Sequence, residues 1–226
     1  MNREAERALP SELRARVLAS IQAQPSPAIG AVNRTHVVAV VLGFVPCAVL
    51  FEVLGACVQG SRPPGYVALL GIGWALLATL GSWGALARGR SMLGRPAALL
   101  LAMTVATPVL LLAIGFAGYI FWPEAMVGNC GPGGHATCFA YGALMAAGPL
   151  VAFAFARRHS DPVHPHVTGA ALGASAGAWG ALAIGVHCPV SAPLHMVLGH
   201  VLPVVLVTCI GMWMGGRRVA IRTETK

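Results

Sequence analysis

Six cysteines and eight histidines carry most of the chemistry available to this 226-residue chain. Cys57, Cys130, Cys138 and Cys188 lie at the ends of apolar runs or beside a polar connection, and His135, His187, His195 and His200 lie close to them in sequence. Cys47 and Cys209 sit deeper inside apolar runs, where a thiol behaves as a small apolar side chain. Thiols and imidazoles gathered in this way suit three kinds of work. Two thiols can close a disulfide in an oxidising compartment, and Cys130 and Cys138 bracket a flexible Gly131-Pro132-Gly133-Gly134 stretch across which they can reach each other. An accessible thiol can act as a redox sensor. Thiolate and imidazole together can also hold zinc, copper or a cadmium-like ion. No paired spacing such as CxxC is present, so spacing alone leaves the three readings open.

His187-Cys188-Pro189 is the sharpest local element, followed by His195 and His200. The last two are five residues apart, and on an α-helix they diverge by roughly 140°. The expectation is that they do not chelate one ion by themselves. Glu52 is the single acidic residue inside an apolar run. An ionised carboxylate at the centre of a membrane helix costs roughly 2.5–3.5 kcal/mol, so Glu52 is expected to be paired or protonated. Counting inward from the helix ends gives it a depth similar to that of His200, which predicts a Glu52–His200 pair; a protonated Glu52 bonded to a backbone carbonyl is the alternative. The candidate sensing or metal-binding set is therefore Cys130, His135, Cys138, His187, Cys188, His195, His200 and Glu52. A divalent metal ion at the outer face is the candidate cofactor.

The elements that position these residues are apolar runs over roughly 37–58, 65–86, 97–121, 138–156, 167–186 and 194–214. Hydrophobic residues make up 57% of the chain, charged residues 10%, and the mean hydropathy is +0.74. About 20 residues of helix cross a ~30 Å hydrocarbon layer, and each run meets or nearly meets that length. Arg3, Arg7, Arg14, Arg16, Arg34, Arg88, Arg90, Arg95, Arg157, Arg158, Arg217, Arg218, Arg222 and Lys226 all fall on one side of such a reading, and only Arg62 falls on the other. Cytoplasmic loops retain Lys and Arg. The predicted fold is thus an all-α integral membrane protein, a bundle of six transmembrane helices with both termini cytoplasmic. The net charge of +8 follows from this topology and does not point to nucleic acid. The outer connections are then 59–64, 122–137 and 187–193, while His36, His159, His164 and His166 belong to the inner face. Gly169, Gly173 and Gly177 recur every four residues and predict a close helix–helix contact. Pro46, Pro108, Pro149 and Pro203 predict kinks that neighbouring helices must accommodate.

Residues 1–34 are polar, 35–216 form the membrane domain, and 217–226 make a cytoplasmic tail. No cleavable leader is evident, and the first apolar run is expected to direct insertion. Within 1–34, Ser11 caps a short helix, and Leu13, Val17, Leu18 and Ile21 fall on one face of it, with Arg14 and Arg16 off that stripe. Pro25 and Pro27 end it. A free amphipathic helix of about a dozen residues is marginal in water and needs a surface to cover. That surface is lipid, the membrane domain or another protein.

No Gly-rich phosphate loop, HExxH or nucleophile elbow occurs, so the chain is not expected to be an enzyme. A small transporter or metal permease accounts for Glu52 and the histidines but leaves the N-terminal helix idle. A membrane thiol or haem oxidoreductase lacks the tight cysteine pair that such chemistry uses.

The run from Cys138 through Arg157-Arg158, Pro165, Gly169, His187-Cys188-Pro189 and His195 resembles the membrane anti-sigma factors typified by NrsF, the negative regulator of sigma F. The stretch Leu9-Pro10-Ser11-Glu12-Leu13-Arg14-Ala15-Arg16-Val17-Leu18 is similar to anti-sigma N-termini, and the light-response anti-sigma factor CarR is a comparable arrangement. The resemblance implies a multi-pass protein of the bacterial inner membrane. Its N-terminal segment would hold an extracytoplasmic-function sigma factor through Leu13, Arg14, Arg16, Val17, Leu18 and Ile21, with no direct contact to nucleic acid. It also implies Cys138 and Cys188 as sensing positions, with release on an envelope, oxidative, metal or light signal.

Overall fold

Five of the apolar runs become long helices. The computed structural model describes residues 63–86, 95–123, 133–157, 163–188, 190 and 192–218, with scattered positions between 15 and 53. The helices are α1 (Pro64–Leu86), α2 (Ala97–Phe121), α3 (Gly134–Ala156) and α4 (Pro165–His187), followed by a helix in three parts. Those parts are α5 (Pro193–His195), a π-helical stretch (Met196–Val201) and α6 (Leu202–Arg218). No strand occurs among the described residues. The chain divides into two units, Met1–Thr35 and His36–Lys226, and these helices all belong to the second. In the first unit the described residues are Ala15, Arg16 and Ala19, each helical and exposed.

The five spans are 23 or 25 residues long, with mean hydropathy from 1.4 to 2.4. Each can cross a bilayer. Six spans are predicted from the sequence. The first run is described only at Val37, Val38, Val41, Val45, Ala48, Val49, Glu52 and Val53, all helical and exposed. The count of five therefore refers to the described residues.

A helix in hydrocarbon must satisfy its own polar groups, side chains included. Thr104, Thr107, Ser175 and Thr208 each donate a hydroxyl proton to the carbonyl four residues back. Ser82 does the same to Ala78 and accepts the Trp179 indole N–H at 2.9 Å, tying α1 to α4. Lipid supplies no hydrophobic drive for one helix to seek another, so association depends on close packing. Helix α4 provides it: 83% of its apolar window is buried inside the bundle, against 17% for α2. A Cβ at Gly169 would strike the Gly211 carbonyl, one at Gly173 the Val207 carbonyl, and one at Gly177 the backbone and side chain of Val204. These glycines let α6 lie directly on α4. Larger side chains such as Leu101, Val105, Val109, Val151 and Phe155 turn outward.

Neighbouring helices alternate in direction. Gly118 near the end of α2 packs on Tyr66 near the start of α1, and Gly84 near the end of α1 packs on Met103 near the start of α2. One end of the bundle therefore collects the starts of α1, α3 and α5 with the ends of α2 and α4. The opposite end carries Arg95, Arg157, Arg217 and Arg218. There Arg95 lies 4.9 Å over the Trp83 ring and Arg217 lies 4.6 Å over Trp213. Tyr119, Phe121 and Trp122 gather at the first end, so aromatic side chains mark both ends, as at the two interfaces of a bilayer.

Candidate functional site

Three local features bring thiols and imidazoles together at the end away from the arginines. Helix α3 starts at Gly133, whose φ of 102° lies in the left-handed region that glycine tolerates. That start places His135 in the first turn and Cys138 in the next. Helix α4 ends because Pro189 pushes the residue before it out of helical geometry. Cys188 is accordingly extended (φ −73°, ψ 125°), with its N–H still bonded to the Ile184 carbonyl at 2.7 Å. Pro193 then opens the last helix, two residues before His195.

The third feature overturns an expectation. In an α-helix His195 and His200 diverge, but this segment is not α-helical: Met196–Val201 is a π-helix, and Leu202 N–H bonds to the Val197 carbonyl five residues back. With i→i+5 bonding, residues five apart lie about one turn above each other. The two rings sit 5.2 Å apart, edge to face. Pro203 gives the physical reason for the wide turn. It has no N–H to offer the Gly199 carbonyl, and in an α-helix its ring would clash with that carbonyl. Inserting one residue into the turn relieves both problems.

The result is a compact cluster. Sγ of Cys138 and Cys188 and one ring nitrogen each of His195 and His200 all lie within 4.8 Å of one another. The two sulfurs are 3.5 Å apart and are not joined as a disulfide. Cys188 Sγ is 3.1 Å from His195 Nε2, and His195 Nδ1 is 2.9 Å from His135 Nδ1. Cys188, His195 and His200 are 3%, 0% and 1% exposed, and Cys138 is half-buried. The Cys138 thiol holds the Cys188 thiol far below its ordinary range; burial opposes the shift, and His195 and His200 reinforce it. Trp74 of α1 packs 5.9 Å from the His200 ring, and a Cβ at Gly185 would fill the space Trp74 takes. Ile184 and Val190 close the side around Cys188.

Four of the eight sequence candidates thus converge, and His135 joins them through His195. His187 is half-buried in the last turn of α4 but outside the four-atom cluster. Glu52 occupies an exposed helical position outside the cluster, while His200, expected as its partner, is buried in it. Cys130, Leu13, Arg14, Val17, Leu18 and Ile21 lie outside the described residues; Arg16 is described as helical and exposed. The expected Cys130–Cys138 approach falls outside the described residues, and among those described the sulfur beside Cys138 is that of Cys188, at 3.5 Å. Sequence reasoning missed Trp74 and Gly199. A Cβ on Gly199 would lie 3.2 Å from the Cys138 Cβ and 3.3 Å from His195 Nε2, so this residue admits the cluster to the π-turn. The Gly199–Pro203 spacing was the available signal.

No curated protein and no solved structure matches this chain. A model of the family described as NrsF, negative regulator of sigma F, matches residues 20–220. That match takes in all five helices and every member of the cluster, and on its extent the chain belongs to the NrsF family of negative regulators of sigma F.

Proposed function

We propose that this protein is a membrane-bound anti-sigma factor that sequesters an extracytoplasmic-function sigma factor and releases it on an envelope signal. The observation that carries the reading is the family match over residues 20–220, on a chain with five membrane-length helices. In this reading residues 37–58 make a sixth span, both termini are cytoplasmic, and the protein resides in the bacterial inner membrane. Residues 1–34 bury Leu13, Val17, Leu18 and Ile21 against the sigma factor, with Arg14 and Arg16 facing its acidic surface. Binding keeps the sigma factor from RNA polymerase, and no step is catalysed. The Cys/His end then faces the envelope, where oxidants, metals or light-generated oxidants arrive, and rearrangement there weakens the hold. Moving the bound fraction from 99% to 1% requires an affinity difference of roughly 10⁴-fold between states.

The test is co-purification of the full-length tagged protein from native membranes. One sigma factor should be captured by the wild type and lost with Leu13→Asp or Val17→Asp. Capture of none, or equal capture by the variants, rejects this reading.

A further inference from the structure

We propose that Cys138, Cys188, His195 and His200 form one tetrahedral S₂N₂ site for a single divalent cation of the zinc class, with His135 holding His195 in its ligating tautomer. The geometry carries this. Tetrahedral ligands at Zn–S of about 2.3 Å and Zn–N of about 2.0–2.1 Å stand roughly 3.3–3.8 Å from one another. The four donor atoms lie within 4.8 Å, with sulfur to sulfur at 3.5 Å and sulfur to nitrogen at 3.1 Å. Rotamer-scale movement brings them to one centre.

The chemistry of the donors selects the ion. Two thiolates and two imidazoles suit tetrahedral Zn²⁺, Cd²⁺ or Co²⁺, whereas Mg²⁺ and Ca²⁺ require oxygen ligands. The thiols come from α3 and the end of α4, and both imidazoles come from the last helix, so the ion ties three elements together. The His195 ring shows a further feature of metal centres. A ligating histidine hands its other ring N–H to a second group, which fixes its orientation. His195 directs Nε2 at Cys188 and Nδ1 at His135, so an Nδ1–H donated to His135 leaves the Nε2 lone pair for the ion. A disulfide between Cys138 and Cys188 would call for neither imidazole. Both histidines are nevertheless buried here, on a helix widened so that they face the sulfurs together. Use of the ion as the release signal rests on the anti-sigma reading; the site itself does not.

The experiment uses the full-length protein in detergent, reduced and stripped of metal, titrated with Co²⁺ and then with Zn²⁺. Visible d–d bands of tetrahedral intensity and a sulfur-to-cobalt charge-transfer band should saturate at one Co²⁺ per chain, and Zn²⁺ should bleach them. Cys138→Ser, Cys188→Ser, His195→Ala and His200→Ala should each remove or shift these bands. His135→Ala should keep the stoichiometry while weakening Co²⁺ binding about 10–100-fold. Cys209→Ser, at an exposed thiol away from the cluster, should change nothing. Helical circular dichroism on every variant separates lost ligation from lost fold, and His200→Cys, which restores a donor, should recover a tetrahedral spectrum. Octahedral bands, or binding by the two thiols alone with His195→Ala and His200→Ala indifferent, would overturn the proposal. Sigma-factor capture is read separately, so failure there leaves the metal result standing, and the reverse also holds.

Discussion

At the scale of single residues, the site is defined by which sulfur meets which. Cys138 and Cys188 are fifty positions apart, and their 3.5 Å approach is produced by the packing of α3 on α4. In the metal-free protein a two-electron oxidant such as diamide should therefore join these two sulfurs, each thiol losing a proton and the azo group becoming the hydrazine. Peptide mapping should recover the 138–188 linkage, and one equivalent of Zn²⁺ should suppress it. A dominant disulfide from Cys130 to Cys138 would instead show that the connection before α3 brings its own sulfur to Cys138 ahead of Cys188. Glu52 makes the contrasting case. Its position is exposed and outside the cluster, so Glu52→Gln should leave Co²⁺ stoichiometry and affinity unchanged within a factor of two or three. A larger loss would return Glu52 to the site and restore its expected pairing with His200.

At the scale of elements, the π-turn decides whether two histidines act as one ligand pair. Pro203→Ala supplies the missing N–H for the Gly199 carbonyl and removes the ring that would clash with it. The segment should relax to α-helix, turning His195 and His200 apart by roughly 140°. The expected result is loss of the tetrahedral Co²⁺ spectrum with helical content unchanged or raised; an intact spectrum would show that the turn is held open by the ligands. The α4–α6 contact gives a second prediction. Gly173→Leu puts a side chain where the Val207 carbonyl and Thr208 backbone lie. Overpacking of this kind costs about 1–3 kcal/mol, read as a lower midpoint in thermal unfolding in detergent. Much of this architecture was legible in the sequence. The run at 97–121 became Ala97–Phe121 and the run at 65–86 became Pro64–Leu86, because membrane helices declare themselves by length and apolarity alone. The glycine stripe on α4 was legible because small residues every four positions have one structural use in lipid. The site was legible only as a list of donors. Its pairing across fifty residues is a tertiary fact, and the divergence assigned to His195 and His200 assumed an α-helical period that Pro203 does not permit.

At the scale of the whole molecule, the donor cluster and the amphipathic N-terminal segment belong to different units, so a link between them is an energetic statement that requires no direct contact. If a bound cation lowers affinity for the sigma factor by some factor, thermodynamic linkage requires the sigma factor to lower affinity for the cation by the same factor. This gives a prediction with one adjustable number. Co²⁺ affinity of the full-length protein should be measured alone and in complex with the captured sigma factor, and sigma-factor affinity should be measured with and without Zn²⁺. The two ratios should agree. Leu13→Asp, which on the proposed reading removes partner binding, should leave Co²⁺ affinity at its partner-free value. A coupling of 1–3 kcal/mol, about 5–150-fold, is typical of allosteric proteins, and full release demands more than that range supplies. If Zn²⁺ frees the sigma factor in cells while the two ratios measured in detergent stay near one, release is not a binding equilibrium. It is then driven by an irreversible step such as cleavage of the N-terminal segment, which the length of that segment in induced membranes would reveal directly.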